Sequence, residues 1–235
     1  MCKKQPMAKN FSPAEFLDLN QTEHAALFTS LDHVWEAFLR IAPYLQENLR
    51  PAMLGRRVGN PFLGERVFVG PGTVIEPGAC IKGPAWIGAN CEIRNGAYLR
   101  ENVIVGDGCV LGNSCEFKNA ILFDGVQVPH FNYVGDSILG FKAHLGAGVI
   151  LSNVKLNHNE VCVTLPDGQT IATGLRKFGA IVGDLVEIGC NSVLSPGSLI
   201  GRGTVLYPGS HWHGVAPAES VIKQKQSFDI IRRKE

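Results

Sequence analysis

The sequence holds no apolar run near the ~20 residues that a membrane-spanning helix needs, and its opening, MCKKQPMAKN, lacks the apolar stretch of a secretory signal. An excess of one charge is also lacking: 22 basic residues stand against 21 acidic ones, for a net charge of +1. Bulk attraction to nucleic acid or membrane, which rests on a strongly basic domain or face, has no support here. The cytoplasm is the expected compartment, and any anion site must come from a local cluster. Seven cysteines form no C-x-x-C pair, and their odd number argues against a complete intrachain disulfide framework. They are expected to be mostly reduced and structural.

What the sequence does have is a period. From Val67 it divides into hexads, VFVGPG, TVIEPG, ACIKGP, AWIGAN, CEIRNG, AYLREN, VIVGDG, CVLGNS, CEFKNA, ILFDGV and QVPHFN. The third place reads Val69, Ile75, Ile81, Ile87, Ile93, Leu99, Val105, Leu111, Phe117 and Phe123 before Pro129 interrupts it. A six-residue apolar period is the sign of a parallel β-helix and excludes a helical period of 3.6. The first place holds small or modest residues, among them Thr73, Ala79, Cys91, Val103, Cys109 and Cys115, as suits packing beside an aliphatic rung.

The rungs resume at Leu139, Leu145 and Leu151 and again from Val182 to Trp212, so residues 153 to 181 form an excursion. Within it VCVTL and QTIAT flank Pro166-Asp167-Gly168, the turn chemistry of a hairpin arm that can reach a neighbouring subunit. Ahead of the coil, Ser12-Pro13-Ala14-Glu15 is a capping-box signature. Leu31, Val34, Trp35, Phe38, Leu39, Ile41 and Leu45 suit amphipathic helices broken near Pro43. The expected organisation is a helical segment over residues 1 to 60, docked across the open first coil, a β-helix over 61 to 217 with its arm at 153 to 181, and a helix or tail over 218 to 235.

Three hexads per turn place residues eighteen apart above one another, ~4.8 Å apart. The fourth hexad place then sorts into three corner columns: Gly70, Gly88, Gly106 with Asp124; Glu76, Arg94, Gly112 with His130; and Lys82, Arg100 with Lys118. The last is wholly cationic. At an effective dielectric near 20 like charges so spaced repel by up to about 3 kcal/mol, a penalty that a bound oxyanion reverses. A solvated basic edge is the alternative. His130, a base candidate, falls one column away, where the hexads are interrupted, with the carboxylate of Glu116 on the preceding turn.

At these residues the sequence resembles the left-handed β-helix acyltransferases, most closely the acetyltransferase half of bifunctional glucosamine-1-phosphate acetyltransferases and their archaeal sugar-1-phosphate relatives. The similarity runs from about Arg100 to Asn153: Leu111-Gly112-Asn113 with Glu116-Phe117-Lys118, Pro129-His130 with Tyr133-Val134-Gly135-Asp136, Gly146-Ala147-Gly148, and Asn153. A looser match continues through Gly174-Leu175-Arg176-Lys177 to Pro208-Gly209. The resemblance implies left-handed coiling, a homotrimer with sites between subunits, and acetyl transfer from acetyl-CoA to the amine of a glucosamine 1-phosphate-like acceptor, with no metal. It implies His130 as general base with Glu116 orienting it, Arg100 and Lys118 on the sugar phosphate, and Tyr133 and Asn153 on the acceptor. Ala147, Cys190 and Pro208 would lie along CoA.

The chain departs from those relatives at His144 (Asn there), at Val154 (Tyr in the bacterial enzymes) and at Cys190 (Ser), and Asn159 and Cys162 stand where arm lysines are expected. Residues 1 to 60 are too few for the nucleotidyltransferase sheet that such relatives carry in front; a separate nucleotidyltransferase is a possible partner, which the sequence does not decide. Two other readings remain open. One is a non-catalytic β-helix that binds a sugar nucleotide or organises partner subunits; the other is metal-dependent hydration through His130, His144, His211 and His213. The basic end of the chain, Lys223, Lys225 and Arg232-Arg233-Lys234, is either a solvated tail or a contact for the phosphates of CoA.

Overall fold

A computed structural model describes residues 11 to 225 and 231 to 233; Cys2 and Lys234 lie outside them. The hexads close into a three-sided parallel coil. Two of its sheets have nine strands and the third has eight, every pair within them parallel. The first sheet contains Val67–Val69, Ala85–Ile87 and Val103–Val105, the second Val74–Ile75, Glu92–Ile93 and Val110–Asn113, and the third Cys80–Ile81, Tyr98–Leu99 and Glu116–Lys118. The coil runs slightly beyond the expected limits, from Ala52–Met53 to Val221–Ile222. Its interior is the predicted ladder of first-place and third-place side chains, from Val69 to Leu206, nearly all fully buried.

Polar first-place residues are buried because each caps a corner carbonyl. Thr73 donates to the Gly88 carbonyl at 2.7 Å, and the thiols of Cys91 and Cys109 stand 3.1 Å from the carbonyls of Gly106 and Phe123. Cys91, Cys109 and Cys115 thus replace the hydroxyl of a threonine or serine. Cys80, Cys91, Cys109, Cys115 and Cys190 are free thiols.

The phase slip lies earlier than Pro129. Ala85 pairs with Val103, an offset of 18, whereas Val103 pairs with Ala120, an offset of 17. One residue is missing from the corner at Lys118-Asn119, and the same corner is short again at Gly135-Asp136, where Ile121 pairs with Ile138. The excursion leaves from this corner one turn later. Three readings are corrected by the slip. Asp124 stacks on Asp107 rather than on Gly106. Leu122, not Phe123, is the inward rung, and His130 stacks on Asn113 rather than on Gly112.

The N-terminal segment does not cap the first coil. It lies along the outside of the first sheet, whose middle residues Ile104, Ile121, Ile138, Ile181 and Leu199 form a second apolar core with Phe11, Leu27, Phe28, Trp35, Phe38 and Ile41. Outward apolar residues on one sheet need a cover, and this segment supplies it. Phe123, displaced outward by the slip, meets Phe28 edge-on at 5.5 Å. Glu15 returns to the Ser12 N–H, as the capping box predicts, at 3.4 Å. The break falls at Arg40, between the 3-10 turn Val34–Leu39 and the helix Ile41–Asn48, because Pro43 sits in that helix's first turn, where its missing N–H is not needed.

The excursion forms the expected hairpin, Cys162–Thr164 paired antiparallel with Thr170–Ala172. Val161 and Val163 at its root are buried in the second core, so it is anchored on its own coil while its tip stays exposed. No helix among the described residues is long and apolar enough to cross a membrane.

Candidate active site

The sequence-derived site residues divide between the flat and the two edges of the third sheet. On the flat, Tyr98, Glu116 and Tyr133 stack in register. One edge carries Lys82, Arg100 and Lys118, each following a buried rung residue of that sheet, and continues upward as Gly135, which pairs with Lys118. The other edge is a column of Asn113, His130, Ala147, Cys190 and Pro208. Asn113 pairs with His130; the Gly148 N–H donates to His130 O at 3.0 Å, Asn191 to Ala147 O at 2.8 Å and Gly209 to Cys190 O at 2.8 Å. The base candidate and the CoA candidates therefore share one edge, and the phosphate candidates occupy the other.

The cationic column is as expected, but carboxylates interleave it. Arg100 donates to Glu116 at 3.1 Å and lies 3.7 Å from Glu101; Lys118 lies 3.8 Å from Glu101 and 3.9 Å from Asp136. The Glu116 hydrogen bond holds the Arg100 guanidinium above its ordinary pKa. Lys82 rests over the Tyr98 ring, 5.2 Å from its centroid. Like-charge repulsion along the edge is thus relieved within the chain.

The expected pairing of Glu116 with His130 is not made within one chain. The 17-residue register sets Glu116 under Tyr133 on the flat, while the imidazole points out from the corner, and no carboxylate among the described residues lies within ion-pair distance of it. The corner itself is fixed from inside. Buried Asn132 accepts the His130 N–H at 3.1 Å and donates to Gly146 O at 2.7 Å.

Tyr133, Lys118 and Asn153 are brought together, and they meet through two residues not singled out from the sequence. Asp136 is 4% exposed and accepts from the Asn119 amide at 2.9 Å and the Asn153 amide at 2.5 Å. Asn119 and Asp136 turn the shortened corner with φ of 47° and 45°, a left-handed region that Asn and Asp tolerate better than most residues. The signal was available: Asn119, Asp136 and Asn153 recur seventeen apart, the true local period. Gly135 keeps the cluster closed, since a Cβ there would stand 2.5 Å from the Tyr133 hydroxyl and 2.8 Å from the Asn153 amide nitrogen. Burial raises the pKa of the Tyr133 phenol, with Glu116 adding to the rise.

Above this cluster the excursion and the coil enclose a cleft of about 1130 Å³, lined by Ser152, Lys155, Asn159, Thr164, Ser195 and His213 among others. Ser152, Ser195 and His213 continue the cationic edge at the heights at which Ala147, Cys190 and Pro208 occupy the other edge. Near Pro208, the Lys223 ammonium covers the Tyr207 ring at 4.5 Å.

The four histidines of the metal reading are dispersed. His144 faces Glu187 at 2.7 Å on the second sheet, His211 is on the third, and His213 meets Thr164 at a corner. Among the described residues no group of three or more His, Cys, Asp or Glu side chains could hold a metal ion.

A family model, the GMPPB C-terminal domain, matches residues 81–172. A bifunctional sugar-1-phosphate nucleotidylyltransferase/acetyltransferase of Sulfurisphaera tokodaii is 37% identical over 93 residues, 40% of this chain and 23% of the relative. The bifunctional protein GlmU of Methanococcus maripaludis is 30% identical over 117 residues, 50% of this chain and 28% of the relative. The chain resembles the hexapeptide-repeat acyltransferases. It spans about a quarter of the length of these curated relatives. Its coil is a three-sided parallel β-helix. A solved perosamine N-acetyltransferase from Caulobacter crescentus, in complex with CoA and GDP-perosamine, covers 68% of this chain and is itself covered over 49%, at 16% identity and a TM-score of 0.24.

Proposed function

We propose that the chain is an acyl-CoA-dependent N-acetyltransferase of an amino-sugar phosphate, with glucosamine 1-phosphate as the model acceptor, whose sites form between the copies of a homotrimer. One observation carries this reading: the imidazole and CoA candidates follow one edge of the third sheet, the phosphate candidates and the cleft follow the other, and both edges are occupied over the same turns. Copies packed side by side with parallel axes would set one copy's His130 edge against the next copy's Lys118 edge. The relatives' names, which join sugar 1-phosphates to acetyl transfer, support the same chemistry.

In that arrangement Arg100 and Lys118 hold the phosphate, Arg by its planar fork and Lys as a point charge. The His130 imidazole takes a proton from the acceptor ammonium, and the freed amine attacks the thioester carbonyl. The tetrahedral intermediate loses a second proton from nitrogen and expels CoA thiolate, which is protonated to the thiol. The backbone N–H of Ala147 would donate to the developing oxyanion, since its neighbours Gly146 and Gly148 spend theirs on Ile188 O and His130 O. Acetyl-CoA is the cosubstrate, the chemistry needs no metal, and Lys223, over the Tyr207 ring next to Pro208, would meet the phosphates of CoA.

The test supplies acetyl-CoA and glucosamine 1-phosphate and follows thiol release. His130→Ala should lower the rate at least about 100-fold, the usual span for a positioned base, and sedimentation should show three copies. A rate indifferent to His130→Ala overturns the assignment of the base. Glu116's engagement with Arg100 rather than His130 favours a second reading, a β-helix that binds a sugar nucleotide without turnover. Binding of the sugar phosphate with no thiol release would establish it.

A further inference from the structure

We infer that Asp136 is a positioning residue that aims both the Lys118 ammonium and the Asn153 amide at the acceptor; this rests on the acetyltransferase reading above. Three observations converge on it. Asp136 is nearly sealed from solvent, yet it is a carboxylate, and in a β-helix corner that place demands no charge. Its two oxygens are divided. Oδ1 receives the Asn119 amide at 2.9 Å and lies 3.9 Å from Lys118 Nζ, while Oδ2 receives the Asn153 amide at 2.5 Å. Its backbone is fastened on both sides, the N–H to Lys118 O at 2.9 Å and the carbonyl to the Gly179 N–H at 2.8 Å, where the excursion rejoins the coil.

The consequence is geometric. Lys118 has a flexible four-carbon stem, and Glu101, the other carboxylate near it, is itself 43% exposed and 3.8 Å away. Only Asp136 reaches the ammonium from inside, where a bound phosphate does not compete for the same space. Asn153, from the first turn of the excursion, is held through the same carboxylate, and the Tyr133 hydroxyl lies against that amide over Gly135. One buried charge therefore sets three groups from three consecutive turns of the coil.

Asp136→Asn tests this. Asparagine matches the carboxylate in size, tolerates φ of 45° and retains an acceptor, so the fold should persist with little change in melting temperature. In the variant, reductive methylation of Lys118, read residue by residue by mass spectrometry, should speed up about 10-fold. Lys82, exposed on the same edge and remote from Asp136, should keep its rate. Turnover should show a rise of about 10-fold in KM for glucosamine 1-phosphate with KM for acetyl-CoA held, and Asp136→Glu, too long for the corner, should not restore it. An unchanged Lys118 rate, or a rise shared by Lys82, overturns the inference. If the native protein transfers no acetyl group, the enzymatic reading fails, and the Lys118 to Lys82 contrast still decides whether Asp136 positions the lysine.

Discussion

Arg100 donates through Nη1 to Oε1 of Glu116, 3.1 Å away on the next turn of the coil, and so is held with its planar face fixed before any ligand arrives. A guanidinium already oriented loses less entropy on meeting an oxyanion than a free one. Arg100→Ala is expected to raise KM for glucosamine 1-phosphate roughly 10-fold to 100-fold, the equivalent of about 1.5 to 3 kcal/mol for a charge-assisted hydrogen bond. KM for acetyl-CoA should not move, because the CoA candidates lie on the other edge of the sheet. Steady-state kinetics with each substrate varied in turn checks both statements.

Gly135→Ala tests the closed cluster from the backbone side. The added methyl would meet the Tyr133 hydroxyl at 2.5 Å and the Asn153 amide at 2.8 Å, and both must swing away. Overpacking of this kind costs about 1 to 3 kcal/mol, which a long coil with a continuous core can absorb. Folding should survive while kcat/KM falls at least about 10-fold. Circular dichroism melting beside the kinetics separates the two effects.

The coil was legible because its signal is redundant. Each third-place residue from Val69 to Phe117 repeats the same statement, and one missing residue does not erase the pattern. The register past Asn119 was not legible by counting in sixes, because each missing corner residue moves every later outward residue by one further place. The first turned Phe123 to the outside and moved His130 from the Gly112 column to Asn113. Lys82, Arg100 and Lys118 precede the slip, and their column was read correctly. The carboxylates between them were harder to see, since Glu101 and Asp136 sit off the fourth hexad place and reach it only through their side chains. The cover over the first sheet left a trace in the sequence as well: Ile104, Ile121, Ile138 and Ile181 are apolar at the middle strand place, which faces outward.

Thiol reactivity should divide along the same lines. Cys190 is exposed on the His130 edge, whereas Cys109 and Cys115 are buried and burial raises their thiol pKa values, Cys109 well above the ordinary value. The thiolate is the reactive form. Iodoacetamide should therefore label Cys190 and spare Cys109 and Cys115 in the folded protein. Saturating CoA should slow labelling of Cys190 several-fold, measured by peptide mass spectrometry. Unaltered labelling with CoA bound would remove Cys190 from the CoA edge.

The attachment of the N-terminal segment should respond to acid through His24. This imidazole is 1% exposed, accepts or donates at the Tyr44 hydroxyl at 3.0 Å, and meets the Trp86 ring edge-on at 5.0 Å. Glu23 reaches the same indole, 2.8 Å from its nitrogen, and lies 3.4 Å from His24 Nε2. Burial lowers the His24 pKa from 6.5 to about 4. Its neutral form is therefore favoured in the folded state, and the unfolded chain takes up the proton first as pH falls. The stability tied to this residue is complete above pH 6.5, declines between 6.5 and about 4, and levels off below. At 1.36 kcal/mol per pKa unit the decline is at most about 3 kcal/mol. Glu23, Asp124 and Asp184, whose carboxyl pKa values burial raises, oppose it at the acid end. The difference between native protein and His24→Gln isolates the imidazole. Thermal melts from pH 7.5 to 4 should show a steeper acid loss for the native chain, and equal slopes would mean that His24 is protonated as readily in the folded state as in the unfolded one.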